Sequence, residues 1–131
     1  MDKTKVGRGC IYYIQYHIVW CVKFRQQLLV DEVESCLKEI FLKIAQDNNF
    51  EIVEINIYQD YIYLVVMCSP QHQIPNLLRA LKGISARILF TKCPNLKILL
   101  QDAHLWNSSY FVATTSENIK NQIKDYINSQ N

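Results

Sequence analysis

The sequence predicts an α+β fold, an antiparallel sheet with helices packed on it, and three observations carry that prediction. Residues 10–21 are dense in Tyr, Ile, Val and Trp, with both alternate sets largely apolar, as in a central strand. Residues 51–58 and 61–68 are two strand-like runs joined by a turn too short for anything but an antiparallel hairpin. Three further stretches repeat apolar residues at helical spacing.

The elements follow in order. After the first strand, 23–27 reads as a polar turn, and Asp31 with Glu34 makes a capping-box-like helix start. Val33, Leu37, Ile40, Phe41 and Ile44 then mark the buried stripe of a helix running to about Asn48. The hairpin comes next, and Ser69-Pro70 breaks its second strand. Pro75 suits the first turn of a helix whose stripe is Leu78, Leu81, Ile84 and Ile88, ending near Phe90. Pro94 opens a loose loop, 109–114 reads as a fourth strand, and Ser116 is placed to cap a last helix with Ile119, Ile123 and Ile127 buried. The order βαββαβα is that of a ferredoxin-like or RRM-like sandwich.

A chain of 131 residues has room for one core, so a single domain over 1–131 is expected. No apolar run approaches the roughly 18–20 residues that cross a bilayer, and the polar N-terminus is not followed by an apolar signal core. The expectation is a cytoplasmic protein with no membrane partner. Cys10, Cys21, Cys36, Cys68 and Cys93 are odd in number and never spaced C-x-x-C, which argues against a disulfide framework or a zinc site. Cys93, between Lys92 and Pro94, is the one with a hint of an electropositive setting.

Charge is segregated. Lys3, Lys5, Arg8, Lys23 and Arg25 face the single acid Asp2 in the first 30 residues, whereas 31–60 is acidic. From 61 to 101 there is no Asp or Glu, while Arg79, Lys82, Arg87, Lys92 and Lys97 are present. A polyanion would be drawn to the basic segments and repelled by the acidic one, a pattern that suits nucleic acid and suits ordinary solubility equally well.

Five motifs sharpen this. The stretch 16–25 (YHIVWCVKFR), the stretch 81–87 (LKGISAR), the stretch 106–112 (WNSSYFV) and the stretch 124–130 (KDYINSQ) occur in that order, and the strand between them contains Gln59-Asp60-Tyr61-Ile62-Tyr63-Leu64. Together they resemble the single-tyrosine HUH transposases of minimal insertion sequences, the IS200-like family, over essentially the whole chain. The resemblance implies a homodimer, joined through sheet edges, that binds imperfect hairpins at the ends of a single-stranded DNA element. It also implies Tyr126 as the nucleophile that attacks a phosphodiester, leaving a 5′-phosphotyrosine link and a free 3′-hydroxyl. In that family two histidines at i and i+2 on a strand, with a glutamine that Gln130 matches, hold Mg²⁺ or Mn²⁺. Tyr61 and Tyr63 stand at the histidine positions here. Lys23, Arg25, Arg79, Lys82 and Arg87 are the expected DNA contacts.

Phenol, with a pKa near 10, is a poor nucleophile unless the phosphate is polarised and the leaving oxygen's charge is offset, which a divalent ion does. Residues at i and i+2 of a strand share a face and could grip one ion. Neutral phenols bind hard cations feebly, so metal binding is expected to be weak or absent here. His17, His72 and His104 lie on other elements without the spacing to replace the pair. Tyr61 and Tyr63 could pack as β-formers or stack on unpaired bases. Two function classes stay open: a DNA strand transferase acting through Tyr126, and a DNA-binding protein that has kept the binding face but lost cleavage, as a decayed or recruited copy. A third class, an RNA-binding RRM-like module, would want exposed aromatics beside glycines on the central strands, and Gly7, Gly9 and Gly83 do not supply them.

Overall fold

The protein is described from a computed structural model, over residues 5–7, 10–12, 14–100 and 104–130. A short hairpin of β1 (Lys5–Gly7) and β2 (Cys10–Tyr12) precedes β3 (Gln15–Cys21). Then come a 3₁₀ turn (Lys23–Arg25), α1 (Asp31–Asp47), β4 (Glu51–Ile57) and β5 (Tyr61–Met67). The second half holds α2 (Ile74–Arg79), a π-helical turn (Ala80–Ile84), α3 (Ser85–Lys92), α4 (Asn95–Leu99), β6 (Phe111–Thr114) and α5 (Ile119–Ser129).

Four strands form one antiparallel sheet in the order β4-β5-β3-β6, with β3 central as its two apolar sets predict. Because side chains alternate across a strand, those two sets serve different layers. Ile18, Trp20 and Val22, with Ile62, Leu64 and Val66 of β5, join α1 and the α2–α3 rod in the main core. Val19, with Tyr61 and Tyr63 of β5 and Phe111 and Ala113 of β6, packs under Ile119, Ile123 and Ile127 of α5. Helices therefore cover both faces of the sheet, and among the described residues α5 alone is on the second. Trp20, fully buried, meets Phe41 and Trp106 edge-on at 5.8 and 5.6 Å between ring centroids. A bulge between Ile52 and Glu54 puts Val53 out of register, so that Ile52 and Ile55, three residues apart, both reach the main core.

Several expectations need correction. The strand expected over 10–21 is interrupted, and only 15–21 belongs to the four-stranded sheet. No side-chain cap forms at either predicted helix start. The cap of α1 is Val30, whose carbonyl accepts from the amides of Val33 and Glu34, so Asp31, Glu32 and Glu34 act on the first turn through charge alone. Asn118 rather than Ser116 precedes α5, and Ser116 contributes its carbonyl to the Ile119 amide at 3.3 Å. The helix predicted from Pro75 to Phe90 is a continuous rod widened by the π turn at Ala80–Ile84. Within the loose loop, α4 forms because Leu96 and Leu100, four apart, are both buried. Among the described residues β3 is hydrogen-bonded on both sides, so the edges open to the expected pairing with a second copy are β4 and β6, the latter beside β3.

Candidate functional site

The polar triplet Asn107-Ser108-Ser109 lies between a bridge from Trp106 to Val22 and the start of β6, which delivers it to the last turn of α5. There Asn107 Nδ2 donates to Gln130 Oε1 at 2.8 Å, and Ser109 Oγ donates to the same oxygen at 2.7 Å. Ser109 has one hydroxyl proton, so the 2.6 Å contact between its Oγ and the Tyr126 hydroxyl has Tyr126 as donor. Tyr126 is thus held as a neutral phenol. Burial pushes its pKa above the ordinary value, with the Ser109 bond pulling the other way. Gln130 ends α5 in extended backbone, and Asn107 and Ser109 engage both lone pairs of its Oε1.

A second layer holds the triplet. Lys82, aimed inward from the π turn, donates to the carbonyls of Asn107 (2.7 Å) and Ser109 (3.3 Å), and burial lowers its pKa. Trp106 Nε1 donates to Ser85 Oγ at 3.0 Å, and Ser85 in turn donates to the Lys82 carbonyl. Lys23, Lys82, His104 and Asn107 line a cleft of about 350 Å³ beside this network. Arg25 places Nε and a terminal nitrogen 2.9 Å from Asp60 Oδ2 and donates to the Ile127 carbonyl at 3.1 Å, tying the 3₁₀ turn to the β4–β5 turn and to the end of α5. Phe24 and Arg25 both adopt positive φ (57° and 52°), and Phe24 is 68% exposed. Such backbone is costly for residues other than glycine and clusters at functional sites. Arg79 and Arg87 are exposed on the helical rod.

Tyr61 and Tyr63 share the α5 face of the sheet, opposite Cys21 and Val19 of β3. With Tyr58 they line a cleft of about 380 Å³, closed on the helix side by Lys120, Ile123 and Lys124. At 100° per residue, Lys124 and Tyr126 point to nearly opposite flanks of α5. One flank carries the Tyr61/Tyr63 cleft and the other the Tyr126–Ser109 bond.

The donor set does not fit a divalent ion. Desolvation, reinforced by Tyr58 and Asp60, raises the Tyr61 pKa; desolvation, reinforced by Glu54, raises that of Tyr63. The Tyr63 hydroxyl is 2.5 Å from His17 Nδ1, while His17 Nε2 bonds Thr115 Oγ1 at 2.9 Å. No cluster of His, Cys, Asp or Glu suited to a metal exists among the described residues. His72 ties its loop to α1 by accepting from the Ser69 amide and reaching the Asn48 carbonyl. The Cys93 thiol is not activated: burial, with Cys36 and Glu32, raises its pKa against the pull of Lys92. Among the described residues no helix is long and apolar enough to cross a membrane.

Sequence reasoning missed the Arg25–Asp60 clip, the His17–Tyr63 bond and the inward course of Lys82. The Asn-Ser-Ser triplet was the visible signal for the network around Tyr126.

Residues 10–130 match the family model described as "Transposase IS200 like". The chain is 45% identical over 128 residues to the ISDra2 transposase TnpA of Deinococcus radiodurans, covering 98% of this chain and 91% of that protein. It is 28% identical over 116 residues to the transposase of insertion sequence element IS200 of Salmonella typhimurium, covering 88% and 76%. A crystal structure at 1.90 Å of a Deinococcus radiodurans R1 chain described as a transposase superposes with a TM-score of 0.92 at 45% identity, over 96% of this chain and 97% of that one. A REP-associated tyrosine transposase bound to a REP hairpin shares the fold, with a TM-score of 0.58 at 17% identity over 95% and 71%.

Proposed function

The chain belongs to the IS200-like transposase family, and from that premise we propose that it binds single-stranded DNA hairpins at insertion-sequence ends as a homodimer, with strand cleavage through Tyr126 weak or lost. The observation that carries this reading is the contrast between two halves of one site. Tyr126, Ser109, Gln130 and Asn107 keep a complete hydrogen-bond network, while Tyr61 and Tyr63, which the sequence resemblance aligns with the family's histidines, are two neutral phenols. The chemistry of the family, attack of the tyrosine hydroxyl to form a 5′-phosphotyrosine, asks for charge neutralisation at the phosphate that these phenols cannot provide through a metal.

Binding makes no such demand. Arg79 and Arg87, exposed on the rod, and Lys23 in the 350 Å³ cleft offer cations to phosphates, whereas Lys82 and Arg25, expected as contacts from the sequence, are engaged by the Asn107 and Ser109 carbonyls and by Asp60. The hairpin held by the REP-associated relative supports the choice of ligand. The second reading, full transposase activity, is favoured by the intact Tyr126 network and needs a partner or a second copy to complete the site.

The test is fluorescence anisotropy with a DNA hairpin and a linear duplex of the same composition, in EDTA. Preferential hairpin binding that weakens steeply with salt is expected. Equal affinity for both would remove hairpin recognition from the account.

A further inference from the structure

The cleft between the β4–β5 hairpin and α5 holds a combination that neither packing nor the Tyr126 network accounts for. Tyr58 and Tyr61 stack on one another, 4.4 Å between centroids and 14° from parallel, and Tyr58 remains 45% exposed. Tyr63 continues the aromatic wall along β5, its hydroxyl fixed by His17. Across the gap, Ile123 supplies an apolar floor, and Lys120 and Lys124, one helical turn apart, stand exposed on the rim. Among the described residues neither lysine is in an ion pair. Two carboxylates act on the wall, Glu54 on the Tyr63 side and Asp60 on the Tyr61 side, the latter paired with Arg25.

Flat aromatic faces beside a row of cations are what an unpaired nucleotide requires: rings on which a base stacks and ammonium groups for the flanking phosphates. A volume of about 380 Å³ is in the lower part of the range that small-ligand sites occupy, about 300–1,000 Å³. We propose that this cleft binds an unpaired nucleotide of single-stranded DNA without a metal, the base stacking on the Tyr58/Tyr61 wall and its phosphates paired with Lys120 and Lys124. The residues at the family's histidine positions thereby form a stacking platform. The choice of DNA rests on the function proposed above; the pocket itself rests on the ring and charge geometry.

The probe is a fluorescein-labelled oligothymidylate, which cannot form a hairpin, titrated in EDTA. Tyr58→Ala and Tyr61→Ala should each weaken binding by about tenfold or more, whereas Tyr58→Phe, which keeps the ring, should bind as the unaltered chain does. The pair Lys120→Ala and Lys124→Ala should flatten the salt slope by about 1.4, at about 0.7 for each phosphate of a single strand. Thermal melts of each variant separate lost binding from lost folding. Photocrosslinking of a 5-iodouracil oligonucleotide to the unaltered chain should label residues 58–63 or 120–128. Crosslinks confined elsewhere, or undiminished affinity in Tyr58→Ala, would overturn the pocket. So would tighter binding of oligouridylate than of oligothymidylate, as regards DNA. A hairpin without single-stranded flanks separates the two readings: if it binds while the cleft stays unlabelled, only the pocket fails, and if the cleft is labelled while the hairpin is ignored, only hairpin recognition fails.

Discussion

The Tyr126 hydroxyl donates a hydrogen bond to Ser109, Ser109 donates one to Gln130, and Asn107 fixes the glutamine from the other side. None of these acceptors is a base, so the phenol rests protonated, and its raised pKa reinforces that state. The equivalent on the other flank of α5 is the bond between Tyr63 and His17. Burial lowers the His17 pKa, with Glu54 opposing, and Tyr63 and Thr115 are its polar neighbours. A depressed folded-state pKa means that, as pH falls through the unfolded value near 6.5, the unfolded chain takes up the proton first. The stability contribution of neutral His17 is therefore complete above that value and is lost as pH falls through the lower folded value. Melting temperature should drop as pH falls below the ordinary value of 6.5, and His17→Gln, which bonds without titrating, should flatten that part of the profile. A profile identical in the variant would show that His17 does not couple to folding.

Among the elements, the π turn has the widest consequences. It turns Lys82 toward the carbonyls of Asn107 and Ser109, while Ser85 one step on receives Trp106, so the rod and the loop before β6 are locked together. Lys82→Met should cost about 1–3 kcal/mol in urea denaturation, because two part-buried carbonyls lose a charged donor. Arg87→Ala should leave stability unchanged and lower the salt slope of hairpin binding by about 0.9, one phosphate's worth on a duplex stem. Unchanged stability in Lys82→Met would mean that water replaces the ammonium at no cost. The sequence showed Lys82 only as a cation in an acid-free stretch, and nothing in helical periodicity announces an extra residue in the turn. Strand order was legible because 10–21 is apolar on both faces and the hairpin turn is short. The placement of α5 was not, since an Ile119/Ile123/Ile127 stripe fits either face of a sheet. The caps failed as predictors because backbone carbonyls of Val30 and Ser116 did what Asp31 and Ser116 side chains were expected to do.

At the scale of the molecule, the sheet ends in β4 and β6, and β6 is the edge beside the central strand. Four residues, Phe111–Thr114, offer unpaired backbone groups there, a ready template for a second copy. A dimer is expected by light scattering at tens of micromolar, and Val112→Pro, which removes one donor from that edge strand, should shift it toward monomer. A monomer at that concentration in the unaltered chain would exclude edge pairing as the resting state. Family membership and fold agree along the chain from residue 10 to residue 130, so the loss of cleavage proposed here has to rest on local differences rather than on the architecture.

The proposed difference lies at Tyr61 and Tyr63, and a covalent-adduct assay reads it directly. A labelled single-stranded hairpin substrate is incubated with and without Mn²⁺, and protein–DNA phosphotyrosine is resolved on a denaturing gel. The unaltered chain should give little or no adduct in either condition, and Tyr61→His with Tyr63→His should give a metal-dependent adduct that Tyr126→Phe abolishes. Adduct formation by the unaltered chain with Mn²⁺, at a rate matching the double variant, would contradict the account.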